Sequence, residues 1–245
     1  MEENFHARRF ATRYVKPSNC VKMRNEILKK AVEYLRAGKA VVFPTDTAYG
    51  LAVDATNPKA VKRLFQIKQR RPAKPVHIII ADLAMAKRYA KFTPVAEKLF
   101  KKFLPGPLTL ILPLTPRLAE DGESRRASLS RKGRGIAFGI LSAGTGTIGI
   151  RMPDNKIALA LVRKLGRPIT ATSANISTSP TAYSISQIEW QFRSEKLKPD
   201  LVLDSGKLKK IQPSTMVRLK SGKIEIIRRG PISKKQILKV LKTNN

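Results

Sequence analysis

The chain has 245 residues, with 49 Lys and Arg against 17 Asp and Glu, and a formal net charge of +32. Its 42% apolar content suffices for one sizeable core, and the charge predicts either attraction to polyanions or a solvated basic surface. One cysteine excludes an internal disulfide framework, two histidines exclude a plausible zinc site, and no apolar stretch reaches the length of a membrane span. We therefore expect a cytoplasmic protein without membrane association.

An arm and a helix are predicted at the start of the chain. Residues 1–20 hold several arginines among few large aliphatic residues, a composition that favours a basic, poorly ordered N-terminal arm. Residues 22–37 carry apolar side chains at helical spacing, and Gly38 follows where a helix commonly ends. The expected organisation is a flexible arm over residues 1–20 and one compact α/β domain over residues 21–245.

Residues 40–67 predict a strand, a polar turn and a helix in quick succession. The run from Ala40 to Phe43 is apolar and β-prone, and the hydroxyl-rich residues 45–50 that follow end in a glycine that permits a tight backbone path. Asn57-Pro58 is typical of a helix start, with asparagine as the N-cap and proline at the first helical position.

The predicted helix ends in a cluster of cations that includes Lys68, Arg70, Arg71 and Lys74. Such residues complement the helix dipole in a last turn, which is the simpler interpretation. However, two prolines stiffen this segment, and guanidinium groups held in a fixed position suit a polyphosphate. The cluster therefore predicts one half of a phosphate-handling site.

Residues 76–114 alternate predicted strands, at 76–81 and 108–114, with helices at 82–89 and 94–103. His77 lies in the first of these apolar strands, and we expect it to be a packed, neutral histidine. Residues 116–146 then break the regular pattern with a serine- and glycine-rich basic stretch. A connection of this length is predicted to be an inserted loop, and we expect it to act as a mobile flap over a nucleotide.

Residues 144–149 match a dinucleotide-binding fingerprint literally, but that motif must open a helix after a strand. Here residues 148–153 have the pattern of a strand ended by proline, so a Rossmann site is rejected. A helix is predicted over residues 156–165 and a strand over residues 169–172. The turn at 173–175 then lies at the carboxyl end of that strand, where α/β sheets tend to place ligands.

The C-terminal quarter predicts two helices and three short strands. Ser184 with Gln187, and Ser233 with Gln236, have capping-box spacing, and strands are expected near residues 201, 215 and 224. Residues 205–245 hold 12 Lys and Arg against one acidic residue.

Six sequence blocks, taken together, resemble the YrdC-like threonylcarbamoyl-AMP synthase family. They occur in the order found in that family and span most of residues 22–238. The blocks are PTDTAYGL at 44–51, KQRRPAKP at 68–75, GPLTLIL at 106–112, TIGIRMP at 147–153, ATSAN at 171–175 and PSTMV at 213–217.

This resemblance implies an L-threonylcarbamoyladenylate synthase, a nucleotidyltransferase that converts L-threonine, bicarbonate and ATP into threonylcarbamoyl-AMP and pyrophosphate. The product would serve the threonylcarbamoyl (t6A) modification of tRNA by a downstream tRNA threonylcarbamoyl transferase. The implied fold is a single YrdC-like domain, with a twisted, mostly mixed β-sheet flanked by helices around a large basic cleft. Mg²⁺ would be carried by the ATP phosphates, with no metal site of the protein itself.

The resemblance also implies site residues. Threonine would be held by Thr47, Arg151, Ala171 and Ser214. ATP would be held by Lys68, Arg70, Lys74, Thr147, Ser173, Asn175, Thr181 and Arg228. Lys68, Arg70 and Arg151 would be catalytic, because the attack of a carbamate oxygen on the α-phosphate needs positioning and charge neutralisation rather than a covalent nucleophile.

The chain departs from the family pattern at a few positions. The family often has a histidine where this chain has Ile79, usually proline at Arg71 and glycine at Thr178, and a glycine between Gly206 and Pro213. Two alternatives stay open: an RNA-binding module on the same fold, and a related carbamoyl- or nucleotidyl-transfer enzyme. Because aromatic residues make up only 6% of the chain, any tRNA or double-stranded RNA is expected to bind non-specifically through its backbone.

Overall fold

The computed structural model describes residues 13–15, 21–118, 129–220 and 223–242. Ten strands in this part of the chain form one mixed sheet, in the order β1-β8-β2-β3-β7-β4-β6-β5-β9-β10. The strands are β1 (Arg13–Val15), β2 (Val41–Pro44), β3 (Tyr49–Ala52), β4 (His77–Ile79), β5 (Leu108–Pro113), β6 (Thr147–Arg151), β7 (Ile169–Ser173), β8 (Leu201–Leu203), β9 (Thr215–Lys220) and β10 (Lys223–Arg228).

Helices flank this sheet, which confirms the predicted mixed α/β architecture. They are α1 (Val21–Arg36), α2 (Pro58–Ile67), α3 (Leu83–Lys87), α4 (Pro94–Phe103), α5 (Leu129–Ser142), α6 (Lys156–Leu165), α7 (Ile185–Phe192) and α8 (Lys234–Lys242). Helix α1 packs against α6, α2 against α5, and α4 against α8. Strands β2 and β3 are buried along their whole length, as expected of strands covered on both faces.

Side-chain caps define where several helices begin. The Asn57 side chain accepts hydrogen bonds from two backbone N–H groups at the start of α2, with Pro58 at the first position. Asp82, Thr93 and Asn155 cap the following helices in the same way. These caps confirm predicted helix starts, because a capping signal depends only on residues close in sequence.

Three predicted features are wrong where the structure describes them. Residues 13–15, expected in a disordered arm, form β1 and pair in parallel with β8. Tyr49 and Gly50, expected in a tight turn, begin β3, and the turn is confined to residues 45–48. Residues 129–142, expected in a flap, form α5, where the buried Phe138 stacks on Tyr89 with ring centroids 5.1 Å apart. Residues 119–128 of the predicted flap lie outside the described residues.

Candidate active site

A cleft of about 240 Å³ lies over the face of the sheet formed by β7, β4, β6 and β5, with the turn after β2 and the start of β9 at its sides. Eight of the predicted site residues line it. They come from seven separate segments of the chain: Thr47, Arg70, Arg151, Ala171, Ser173, Thr181, Ser214 and Arg228. The structure therefore brings together all four residues assigned to threonine and four of the eight assigned to ATP.

The turn between β2 and β3 is built by Thr45, whose Oγ1 accepts from the backbone N–H groups of Thr47 and Ala48 at 3.2 Å. The same hydroxyl donates to the carbonyl of Ala48 at 2.7 Å. Serine and threonine hydroxyls commonly close turns in this way. As a result the Thr47 side chain is held at the wall of the cleft.

Arg151, at the end of β6, crosses the cleft to this turn. Its Nη2 donates to Asp46 Oδ1 at 2.5 Å and to Thr47 Oγ1 at 2.9 Å. Within the described part of the chain, Arg151 Nε and Asp46 Oδ2 are buried without a hydrogen-bond partner. Burial lowers the pKa of Arg151, while the charge of Asp46 and its hydrogen bond act in the opposite direction.

Arg228 and Ser214 connect the two predicted halves of the site. Nε and Nη2 of Arg228 donate to the Ser214 carbonyl at 3.0 and 2.9 Å, and Nη2 also contacts Ser214 Oγ at 3.1 Å. Ser214 Oγ in turn shares a hydrogen bond of 2.8 Å with Thr109 Oγ1 on β5. A residue assigned to ATP thus directly contacts one assigned to threonine.

Arg70 lines the cleft from the segment that follows α2. Its Nε donates to the carbonyl of Lys74 at 3.1 Å, and its Nη2 donates to that of Pro75 at 2.8 Å. These bonds fix the guanidinium beside the proline-stiffened backbone. Lys74 is exposed and does not line the cleft; its carbonyl serves to hold Arg70.

Lys68 is buried beneath the cleft, with 1% of its surface exposed. Its Nζ donates to Ser173 O at 2.5 Å, Asn175 O at 2.7 Å and Asn175 Oδ1 at 3.0 Å. Burial, and secondarily the charge of Arg70, lowers the pKa of Lys68 to about 7, whereas three oxygen acceptors favour the ammonium form. Lys68 therefore holds the loop after β7 in place.

Asn175 has a comparable structural position. Its Oδ1 accepts from Ser173 Oγ at 2.6 Å, and its Nδ2 donates to Ser179 O at 2.6 Å. Asn175 and Lys68 thus orient Ser173, which does line the cleft. Thr147 lies apart at the start of β6, four residues from Arg151, with its Oγ1 paired to Thr145 Oγ1 at 2.9 Å. Lys68, Lys74, Thr147 and Asn175 do not line the cleft. All assignments of site residues to threonine or ATP stay predictions.

His77 is a cleft residue that the sequence analysis did not assign to the site. Burial lowers its pKa to about 4, with further contributions from Arg228, Arg70 and Arg151, which favours the neutral form that the sequence predicts. Its side chain lies on the same face of β4 as Ile79, which also lines the cleft. The sequence did contain a signal for this position: residues two apart on a strand share a face, so His77 lies on the face of Ile79, the position at which the family often has a histidine.

No group of three or more His, Cys, Asp or Glu in the described ranges is arranged to hold a metal ion. Among the helices of those same ranges, none is long and apolar enough to cross a membrane. The assignment of Mg²⁺ to ATP phosphates stays a prediction.

The fold and the cleft define an α/β domain that presents three arginines and several hydroxyl groups to a small ligand. The model of the Sua5/YciO/YrdC family, described as "Telomere recombination", matches residues 33–230. The chain belongs to this family.

Several curated relatives match over most of the chain, and two of them illustrate the similarity. One is a "Putative threonylcarbamoyl-AMP synthase" of Methanocaldococcus jannaschii, 34% identical over 86% of this chain and 90% of its own length. The other is a threonylcarbamoyl-AMP synthase of Pyrococcus abyssi, 34% identical over 87% of this chain but only 57% of its own length.

Two solved structures share the fold. Pyrococcus abyssi Sua5 complexed with L-threonine is 32% identical, with a TM-score of 0.75 over 94% of this chain and 61% of that one. Escherichia coli YciO is 29% identical, with a TM-score of 0.69 over 92% of this chain and 98% of that one. The chain therefore spans less than two thirds of the Pyrococcus proteins and nearly all of YciO.

Proposed function

We propose that this chain is an L-threonylcarbamoyladenylate synthase that makes threonylcarbamoyl-AMP and pyrophosphate from L-threonine, bicarbonate and ATP. The observation that carries the proposal is the meeting of two groups of residues in one cleft. Thr47, Arg151 and Ser214 form a polar wall on one side, and Arg70 and Arg228 supply positive charge beside it. This arrangement suits a reaction between an amino-acid derivative and a polyphosphate.

On the amino-acid side, Arg151 pairs with the threonine carboxylate. Its Nη2 already bridges Asp46 and Thr47, and its Nε is left for a further acceptor. A charge-assisted hydrogen bond from a guanidinium to a carboxylate is about twice as strong as a neutral one and would anchor the ligand at this point. Thr47 and Ser214 then present hydroxyl groups to the remaining polar atoms of threonine.

On the phosphate side, Arg70 and Arg228 neutralise the triphosphate and the departing pyrophosphate. Ser173 and Thr181 orient the nucleotide, while Lys68 and Asn175 act through the loop that carries Ser173. Mg²⁺ held by the phosphates would supply further charge neutralisation. Transfer to the α-phosphate needs alignment of the carbamate oxygen and stabilisation of developing negative charge, which these groups provide.

The test is to incubate the purified chain with ATP, threonine, bicarbonate and Mg²⁺ and to identify the products by mass spectrometry. We expect threonylcarbamoyl-AMP and pyrophosphate, each dependent on threonine and bicarbonate together, because the nucleophile is the carbamate made from both. ADP as the main nucleotide product would contradict the proposal. The product would then pass to a downstream tRNA threonylcarbamoyl transferase in the cytoplasm.

RNA binding is a second candidate function. The net charge of +32 favours it, as does Trp190, whose side chain is on the surface with 63% exposure and lies 6.0 Å from the guanidinium of Arg193. An exposed aromatic ring beside an arginine offers a surface on which an unpaired base can stack.

A further inference from the structure

His77 occupies the centre of the sheet surface beneath the cleft. Strand register places it beside Ala171 of β7, and β4 runs parallel to β6 with Ile78 opposite Ile150. Gly149 of β6 lies against the imidazole, since a Cβ built there would come within 2.6 Å of His77 Cγ. The absence of a side chain at Gly149 therefore leaves the space that the ring fills.

The imidazole faces the groups that would hold the amino acid. Ile79, two residues along the same face of β4, pairs with Arg151, and Arg151 pairs in turn with Thr109. His77 therefore lies on the strand next to that of Arg151, two residues before the position that pairs with Arg151. Among the described residues, none donates to or accepts from the His77 ring nitrogens, so both remain for a ligand.

We propose that His77 accepts the proton that the threonine ammonium must lose before its nitrogen can attack bicarbonate. This inference rests on the proposed function and deepens it, because it assigns the first step of that reaction to a residue of this chain. A ring nitrogen of the neutral imidazole bonds to the proton as the N–H bond of the ammonium breaks. The free amine then attacks the carbon of bicarbonate, one amine hydrogen leaves with a bicarbonate oxygen as water, and the carbamate remains.

Binding of the substrates would make His77 a better base. In the protein without them, the charges of Arg228, Arg70 and Arg151 oppose protonation of the ring, in addition to burial. The threonine carboxylate and the ATP phosphates would neutralise these same three arginines. A positive charge on the imidazole then costs less free energy, so the ring accepts the proton more readily when both substrates are in place.

Other groups near the cleft are less suited to this role. The carboxylate of Asp46 is already paired with Arg151 at 2.5 Å. Lys68 directs its Nζ to three oxygen acceptors away from the cleft. The hydroxyls of Thr47 and Ser214 are far weaker bases than an imidazole.

The kinetic test compares His77→Gln with the wild type across pH, with threonine-dependent pyrophosphate release as the assay. Glutamine keeps hydrogen-bonding capacity but cannot take up a proton. We expect kcat to fall about 100-fold or more, as is typical for loss of a general base, and the acid limb of the kcat profile to disappear. Added imidazole should partly restore turnover to His77→Ala.

Two further variants separate this role from packing. Gly149→Ala keeps His77 but displaces its ring, so it should also lower kcat, as His77→Gln does. Ile78→Val alters the buried residue on the opposite face of β4 and should retain the acid limb. If His77→Gln had the same turnover rate and pH profile as the wild type, the inference would be overturned and the proposed function would stay intact. Absence of threonine-dependent turnover in the wild type would overturn both.

A binding measurement gives a readout independent of turnover. The chain has two histidines, so His6→Gln leaves His77 as the single imidazole for an NMR titration. We expect its midpoint near pH 4 in the free protein, and an increase of about one pH unit or more with threonine and a non-hydrolysable ATP analogue bound. A midpoint that does not move when both ligands saturate the protein would contradict the proposed coupling.

Discussion

Arg151 and Asp46 form an ion pair of 2.5 Å at the wall of the cleft, with side-chain exposures of 14% and 13%. Arg151 Nε and Asp46 Oδ2 nevertheless lack partners within the described part of the chain. An unsatisfied buried polar group costs about 1–3 kcal/mol. Arg151 is therefore held at the cleft with hydrogen-bonding capacity left over, which a carboxylate ligand can use.

Thr47→Val should weaken threonine binding selectively, because it removes the hydroxyl that accepts from Arg151 at 2.9 Å and keeps the side-chain volume. A hydrogen bond to a charged group contributes about 1.5–3 kcal/mol, which corresponds to a loss in threonine affinity of roughly 10- to 100-fold. Isothermal titration with threonine and with a non-hydrolysable ATP analogue measures both affinities, and the second should change little.

The matched control is Thr56→Val, which deletes a hydroxyl that donates to Asp54 at 2.6 Å outside the cleft. It should lower stability and leave threonine affinity as in the wild type. Equal threonine affinities for Thr47→Val and the wild type would mean that Thr47 only shapes its turn.

Arg70→Ala should reduce ATP affinity and turnover together. Arg70 lines the cleft with a guanidinium fixed by two carbonyl groups, and charge-assisted bonds to phosphate strengthen as negative charge develops. The neighbouring Arg71 is exposed and does not line the cleft, so Arg71→Ala removes the same charge as a matched control. ATP affinity and the rate of pyrophosphate release are measured for both variants. If the two variants gave similar values, Arg70 would serve only to end its helix.

Lys68→Met should lower both stability and turnover. It removes the buried donor of three oxygen atoms; Ser173 O and Asn175 Oδ1 each keep another donor, whereas Asn175 O is left unsatisfied at a cost of about 1–3 kcal/mol. Urea unfolding should show a loss of about 1–3 kcal/mol, whereas Lys62→Met, on the exposed side of α2, should change little. A stable Lys68→Met protein that loses only ATP affinity would instead place the ammonium in direct contact with phosphate.

His77 should make the protein less stable in acid. Because its pKa is lowered from 6.5 to about 4, the unfolded chain binds more protons than the folded one between these values, so stability falls as pH decreases through this window. The full difference is about 3 kcal/mol. We expect the free energies of unfolding of the wild type and His77→Gln to diverge by this amount between pH 7 and pH 4. Urea titrations followed by circular dichroism at each pH measure both values. Parallel curves would contradict the lowered pKa.

RNA binding, if the charge of the chain serves it, should be steep in salt and indifferent to sequence. Counterion release gives a slope of about 0.9 per duplex phosphate contacted, or roughly 0.7 for single strands. The chain has one tryptophan, so quenching of its fluorescence reports specifically on the surface at Trp190. A flat salt response would favour a solvated basic surface, and binding without quenching would place RNA elsewhere on the protein.

Much of the fold was predictable because its signals are local. The caps at Asn57 and Thr93 and the strands near 201, 215 and 224 depend on residues close in sequence. Helix α5 was missed because its packing against α2 is a tertiary interaction, and the glycines and serines of residues 129–142 favour a loop in isolation. Strand β1 was missed for a similar reason, since three residues become a strand only by pairing with β8.

The sequence by itself determined the order of the motifs, the chemical types of the cleft residues and the excess of positive charge. Only the tertiary structure decided what each side chain does, because that depends on which strands are neighbours and on where each donor finds an acceptor. Lys68 and Arg70 are two residues apart, yet one points to buried carbonyl groups and the other lines the cleft. His77 belongs to the site because β4 pairs between β7 and β6, and Gly149 leaves room for its ring.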